Sequence, residues 1–382
     1  MIYKGVNINI RKLLHHPIKY SKWIKEEIEY ETNKGNIIKS QNLDFSKFYP
    51  KETKKMVLFI VPGNIKINGG VMSICAIAKT SKELLEKKGY SVALVTIPQD
   101  KIFYEYTEFD SEFKVFRLEQ ILELQNIKEM ILHIPETYIK KFLEILKEKE
   151  IEYFKRIPNL QLNILNQNIE LMPKEEYTDK LKKICKNITM TTAHKKYCTK
   201  ELMEKYKIPV HMLLASYLAN YVYRDFEEKE NIIIYSPDNI KLYKRKIISK
   251  LKKELTGFKI IEIKNIKYKK YLELTSKAKF SISFGEGLDG YFSENIRCGG
   301  IGFAVYNEEF FDKKYKNLPV LYNSYKEMYF NIVNDIKKYL ENKDDYKDVS
   351  RNIRNIIDKD YPLEDYVNNI KKFYEKDYTF KL

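Results

Sequence analysis

The chain has 382 residues, with 69 Lys or Arg against 53 Asp or Glu and a formal net charge of +16. That length is long for one hydrophobic core and comfortable for two, and a hydrophobic share of 44% excludes wholesale disorder. The positive excess favours anionic partners such as phosphorylated small molecules, an anionic membrane face or nucleic acid, although abundant Lys and Tyr also read as compositional drift. The four cysteines, Cys75, Cys185, Cys198 and Cys298, form no Cys-x-x-Cys pair, so neither a zinc site nor a disulfide framework is suggested. No apolar run suits a signal peptide or a membrane span. The expectation is a cytoplasmic protein, at most peripheral to the inner face of the membrane.

Residues 1–54 form a basic, aromatic extension. "IRKLLHHPIKYSKWIKEEIEY" mixes Lys and Arg with Leu13, Leu14, Ile18, Trp23, Ile24 and Ile28. Such a segment lies on an anionic membrane or packs on the main body. Packing is the expectation, because Glu26, Glu27 and Glu29 dilute the positive face.

An α/β pattern begins at "MVLFIVPG" (Met56–Gly63), an unbroken apolar run of buried-strand length. A Gly-rich turn and a helix over Val71–Lys88 follow, then a strand at Tyr90–Ile97. Further strands are predicted at "FKVFRL", Met130–Ile134, Leu160–Leu165 and Asn187–Thr192, with helical patterns between several of them. The charged stretch Tyr223–Asn231 breaks the pattern. It restarts with strands at Ile232–Pro237, Phe258–Ile263, Phe280–Phe284 and Ile301–Tyr306, and the tail from about 324 is helical. The reading is an extension (1–54), a first Rossmann-like domain (55–224) and a second with a helical tail (225–382).

The stretch "FGEGLDGYFSENIRCGG" (Phe284–Gly300) holds two candidate motifs. Gly285, Gly287 and Gly290 match the Gly-x-Gly-x-x-Gly of a dinucleotide loop, and Glu308 follows at about the right distance. Yet only Tyr291–Cys298 can be helical before Gly299-Gly300 and the next strand, too short for the crossover helix of that motif. The other motif is Glu286 and Glu294, eight positions apart. With a strand ending at Phe284, Glu286 lies in a glycine-rich loop and Glu294 in a short helix, beyond a strand's carboxyl end. Open α/β sheets bind ligands there, and a helix N-terminus favours phosphate. Carboxylates are acceptor-only and suit hydroxyl-rich ligands, and Gly287 and Gly290 allow close backbone approach.

This stretch resembles the C-terminal motif of retaining GT-B glycosyltransferases, the large family with bacterial envelope-polysaccharide members. "EGLDGYFSENIRCGGIGFA" carries the Glu-x7-Glu spacing, the glycine after the first Glu and the Cys-Gly before the next strand. "VLFIVPGNIKINGG" and "GYSVALVT" resemble the opening of that fold, and the likeness spans roughly residues 56 to 375. It implies two Rossmann-like domains facing a cleft and sugar transfer with retention from a nucleotide sugar to a saccharide or lipid-linked acceptor. Glu294 would be the ribose ligand, and Glu286 with Gly287, Asp289, Gly290 and Tyr291 would surround the donor sugar and diphosphate. Gly69 and Gly70 would approach the donor from the first domain. Leu288-Asp289-Gly290-Tyr291 stands where the family has Phe-Gly-Leu-Pro, so an extra acid lies near the donor.

Such enzymes neutralise the diphosphate with Lys or Arg, and Lys241, Lys244 and Arg245 follow the first strand of the second unit. His133, ending a strand before Pro135, reads equally as a group that handles acceptor protons and as a buried structural histidine. Asn166 and Asn168, in "NQNIE" after another strand, are candidate acceptor ligands. Asp358-Lys-Asp360 is a formal Asp-x-Asp but reads as a helix terminus. No metal site and no cofactor beyond the donor are expected. The competing class is a non-catalytic basic binder of nucleic acid or an anionic polymer, although the chain has no nucleic-acid motif and its cations are dispersed.

Overall fold

The structure, a computed structural model, describes the chain apart from residues 1, 4, 42, 63–68, 98–112, 215–220, 239, 241, 265 and 267, and apart from the side chains of residues 29, 33, 36–41 and 363. The chain divides into two compact units, Met1–Ala215 with Val367–Leu382, and Ser216–Tyr366.

Unit 1 opens with a short hairpin, β1 (Ile2–Tyr3) and β2 (Val6–Asn7), and two helices, α1 (Ile10–His15) and α2 (Pro17–Gln41). Alternation follows: β3 (Lys55–Val61), α3 (Gly69–Leu85), β4 (Tyr90–Thr96), β5 (Val115–Arg117), β6 (Glu129–Pro135), α4 (Ile139–Ile145), α5 (Glu148–Arg156), β7 (Asn159–Asn166), α6 (Glu175–Lys182), β8 (Ile188–Thr192), α7 (Lys200–Tyr206) and β9 (Val210–Met212). The strands pair in parallel in the order β5-β4-β3-β6-β7-β8-β9. From Met56 to Val61 every residue of β3 is buried, as a strand covered on both faces requires. The order reverses between β3 and β6, so their carboxyl ends form this sheet's topological switch point.

Unit 2 contains β10 (Glu230–Tyr235), α8 (Tyr243–Glu254), β11 (Lys259–Glu262), α9 (Tyr268–Lys277), β12 (Ala278–Ile282), α10 (Gly290–Arg297), β13 (Ile301–Val305), β14 (Leu321–Tyr322), α11 (Tyr325–Glu341) and α12 (Lys343–Asp360). Its parallel sheet runs β11-β10-β12-β13-β14, with the switch point between β10 and β12. The core beneath it joins Ile233, Phe280, Ile282 and Phe303 of the strands to Ile247 and Leu251 of α8, Phe292 and Ile296 of α10, and Ile332 and Ile336 of α11.

The end of the chain differs from the sequence reading, which kept residues up to 382 in the second domain. The final helix, α13 (Leu363–Tyr374), leads into a segment grouped with unit 1 from Val367 onward. Backbone bonds explain this: Phe380 and Val210 exchange N–H···O bonds of 2.9 and 3.0 Å, adding a bridge to β9. His211 Nε2 donates to the Asn369 carbonyl at 2.8 Å, and its Nδ1 accepts from the Thr379 amide at 3.2 Å. Polar groups that apolar periodicity does not reveal thus hold the tail. The extension likewise belongs to unit 1, where α2 packs on β5.

Candidate functional site

The loops leaving β10 and β12 meet at the unit 2 switch point. Ser236, just past β10, accepts from the Phe284 amide at 2.9 Å and donates to the Phe284 carbonyl at 3.1 Å through one hydroxyl. The Gly285 amide donates to the Tyr325 hydroxyl at 2.9 Å. Gly287 has φ +87°, and a Cβ there would lie 2.7 Å from the Phe311 ring and 2.8 Å from the Val305 carbonyl. Only glycine therefore fits at that point of the loop.

Asp289 starts α10. Its Oδ1 accepts from the Phe292 amide at 3.0 Å, an N-cap bond, and its Oδ2 accepts from the Ser283 hydroxyl at 2.5 Å. As a residue it is half-buried, but its carboxyl end is enclosed. That burial pushes it up to about 7, against these two hydrogen bonds and with help from the Asp238 and Glu286 charges. Asp289, expected among the donor ligands, is the cap that fixes α10. An acid already occupies part of the helix N-terminus where a phosphate was expected.

Glu294 lies one turn further on and is 0% exposed. Among the described residues neither of its carboxylate oxygens has a hydrogen-bond partner. The Tyr271 hydroxyl of α9 faces it and favours its charged form without reaching good hydrogen-bond geometry. Burial dominates and pushes the carboxyl up to about 7, opposed by Tyr271 and Arg297. Its charge and burial together raise the Tyr271 phenol, burial being the larger cause. Tyr291, three residues before Glu294 on the same face of α10, is half-buried and packs edge-on against Tyr271 at 5.9 Å. A buried carboxylate without hydrogen bonds costs several kcal/mol, and Glu294 is the fully buried carboxylate left so among the described residues of this unit, beside unpaired neutral atoms such as Thr275 Oγ1, Ser281 Oγ and Asn295 Oδ1. Glu286 is half-buried in the loop, and Gly290 is the first residue of α10.

The cations past β10 are placed differently from expectation. Lys244 donates to the Ser236 and Asp238 carbonyls at 2.9 and 3.0 Å and to Glu262 Oε1 at 2.9 Å. An ammonium has three protons, so Lys244 is fully used inside the protein, tying the ends of β10 and β11 together. It also lies 5.3 Å from the Tyr235 ring centre. Arg245 is exposed on α8. Lys241 lies outside the described residues.

In unit 1, His133 is 1% exposed and stacks flat on Phe59 at 4.3 Å. Its Nδ1 accepts from the Asn163 amide at 3.0 Å, and its Nε2 is 3.3 Å from the Tyr374 hydroxyl. That hydroxyl donates to Ser81 at 2.7 Å, so the consistent tautomer carries the proton on Nε2. Burial pushes His133 down to about 3. It is a neutral core histidine and corrects the expectation of a proton-handling group.

Asn166 ends β7 and is buried, with its Oδ1 unpaired among the described residues; Asn168 accepts from the Glu170 amide at 2.9 Å. The sequence reading missed Glu136, immediately past β6. Its carboxylate accepts from the Gln167 and Asn168 amides at 3.2 and 3.1 Å and holds the Asn166–Asn168 loop. Burial pushes it up to about 7 despite those bonds. The available signal was an acid at a strand's carboxyl end, the rule applied to His133 three residues earlier. Gly69 and Gly70 are the first two residues of α3.

Asp358 and Asp360 end α12, as their sequence context suggested: Asp358 pairs with Arg297 Nε at 3.2 Å, and Asp360 accepts from the Tyr315 hydroxyl at 2.6 Å. Among the described residues no group of three or more His, Cys, Asp or Glu side chains is placed to hold a metal ion.

No family model and no curated protein matches the chain. Among solved structures, HepE of Anabaena in complex with UDP and glucose is similar at a TM-score of 0.54 and 8% identity, covering 84% of this chain and 100% of that one. MnaA of S. aureus with UDP reaches a TM-score of 0.48 at 12% identity, covering 86% and 99%. The E. coli heptosyltransferase WaaC with ADP reaches 0.29 at 10% identity, covering 74% and 99%. At these identities the likeness is one of fold.

The fold is of the GT-B kind. The dinucleotide reading fails on the length predicted for it: α10 has eight residues, too few for a full crossover helix, and its sheet position is not that of a first βα unit. Within this GT-B fold the paired-glutamate stretch occupies the switch point of the second unit.

Proposed function

We propose that the chain is a nucleotide-sugar-dependent glycosyltransferase whose donor nucleotide binds at the β10/β12 switch point of unit 2. The observation that carries this reading is the buried carboxylate of Glu294 in the second turn of α10, which faces the Tyr271 hydroxyl but whose oxygens have no hydrogen-bond partner among the described residues. Ribose hydroxyls are the donors that such an acceptor-only group lacks. Each charge-assisted bond of this type contributes about 1.5–3 kcal/mol. In this reading Tyr291 shifts to admit the ribose, the 286–288 loop amides approach the diphosphate, and Glu286 orients the donor sugar.

Of the three cations considered for neutralising the diphosphate, Lys244 is engaged within the protein and the exposed Arg245 takes that role. The bond from the sugar's anomeric carbon to the diphosphate breaks, and a bond to an acceptor hydroxyl forms. The departing diphosphate takes up the hydroxyl's proton. The acceptor is a saccharide, free or lipid-linked. Retention of configuration and a place in surface-polysaccharide synthesis rest on the motif resemblance.

A thermal-shift panel of UDP, GDP, ADP and CMP with matching nucleotide sugars tests the reading. One nucleoside diphosphate and its sugar should raise Tm in a saturable way. A panel without any stabilising nucleotide, alongside salt-sensitive binding of DNA, would favour the basic polymer binder instead.

A further inference from the structure

The extension was expected to bury its apolar residues against the body. The structure buries only part of it. Val6 and Ile8 of the hairpin region are 5% and 8% exposed. Ile10 is 55% exposed, Leu14 75%, Ile18 87% and Trp23 40%, and Ile2 and Tyr3 of β1 are exposed too. Ile10 and Leu14 lie one turn apart on α1, and Ile18 stands in the first turn of α2, just past the break at His16. The local structure is set around them: Asn9 caps α1, its amide donates to the Tyr20 hydroxyl at 2.8 Å, and Tyr20 stacks on Trp23 at 5.1 Å.

Charge is segregated along the same segment. Between Ile10 and Lys25 stand Arg11, Lys12, Lys19, Lys22 and Lys25 and no acid; the acids begin at Glu26 and continue with Glu27, Glu29 and Glu31. Arg11, Lys12, Lys19, Lys22 and Lys25 are all exposed. The leading end of the helix pair is thus apolar and cationic, and the acidic residues follow it. Among the described residues no helix is long and apolar enough to cross a membrane.

We propose that the α1–α2 corner is a docking surface for an anionic lipid bilayer, with Ile10, Leu14, Ile18 and Trp23 entering the headgroup boundary and the five cations facing the lipid phosphates. Apolar insertion and electrostatic attraction add in such surfaces, and the electrostatic part fades with salt. A partner protein would match the apolar stripe, but an uninterrupted cationic run around it matches a uniformly negative plane. The proposal stands independently of the donor site in unit 2.

Trp23 is the chain's single tryptophan, so its fluorescence reports this surface alone. The experiment uses the full chain with vesicles of phosphatidylcholine, pure or with about a third phosphatidylglycerol, in flotation and emission measurements at low and physiological salt. The expected result is a blue shift and flotation with the anionic vesicles only, weakened by salt. L14E/I18E should abolish the shift. K12E/K19E/K22E should lower partitioning on the order of a hundredfold. Both variants alter exposed side chains and should keep the parent Tm. No shift and no flotation with anionic vesicles would overturn the proposal, as would equal binding by L14E/I18E. So would a wild-type dimer, seen by sedimentation, that L14E/I18E dissociates while vesicles are ignored; the face would then bind a second copy of the chain.

Discussion

His133 in unit 1 and Glu294 in unit 2 are both sealed from solvent, each near the switch point of a parallel sheet, and their surroundings differ in kind. Both nitrogens of His133 have partners, and its ring stacks on Phe59. Neither oxygen of Glu294 has a hydrogen-bond partner among the described residues. A satisfied buried group is part of what holds a fold together, whereas an unsatisfied one lowers stability and persists where a ligand completes it. Burial and a shifted pKa are common to both, so neither one alone identifies a binding site. The state of the hydrogen-bond partners separates them.

Removing the satisfied group should have the largest effect on stability. His133→Ala deletes a stacked ring, frees the Asn163 amide and loosens Tyr374, and should cost about 3–5 kcal/mol by denaturant unfolding. The wild-type histidine also contributes to pH dependence. Its folded pKa lies near 3, below the 6.5 of an ordinary histidine, so its contribution is present above about 6.5 and is lost as pH falls toward 3. A change under 1 kcal/mol for His133→Ala would break the comparison from the side of unit 1.

Gly287→Ala is the next largest, about 2–3 kcal/mol, because the residue is left-handed and its Cβ would press on Phe311 and the Val305 carbonyl. Nucleotide-induced stabilisation should fall with it, since the loop between β12 and α10 must move. Parent-like unfolding would show that the loop tolerates a side chain there.

Glu294→Gln should go the other way. The folded carboxyl titrates near 7 against 4.5 for an ordinary glutamate, so the native state keeps its proton longer than the unfolded chain. The burial cost is absent below about 4.5, grows as pH rises to 7 and is constant above. The variant should therefore gain on the order of 2 kcal/mol at pH 8 and lose this part of the pH dependence. A loss of stability at pH 8 would mean that the carboxylate is satisfied in solution.

Much of the fold was legible in the sequence because both sheets are parallel and buried on both faces. Runs such as "MVLFIVPG" and "FSISF" announce such strands directly. The short strands β9 and β14 and the return of the tail were not legible, since they depend on pairings distant in sequence, such as Val210 with Phe380. In the candidate site, the placement of Glu286 in a loop and of Glu294 in a short helix was readable from the helix length between glycines. The roles of Lys244, Asp289 and His133 were not. Residue type and strand end gave their position, but three-dimensional neighbours had already engaged their polar atoms. Glu136 was missed because an isolated acid carries no spacing signal.

The central claim is that Glu294 is completed by a nucleotide. Calorimetric titration at pH 8 of UDP, GDP and ADP into the wild-type chain and Glu294→Gln tests it most directly. One of these nucleotides should bind the wild type and bind the variant about tenfold or more weakly, the loss of one charge-assisted hydrogen bond, while the variant unfolds no earlier than its parent. Equal affinity for both proteins, or no binding of any of the three to the wild type, would contradict the account.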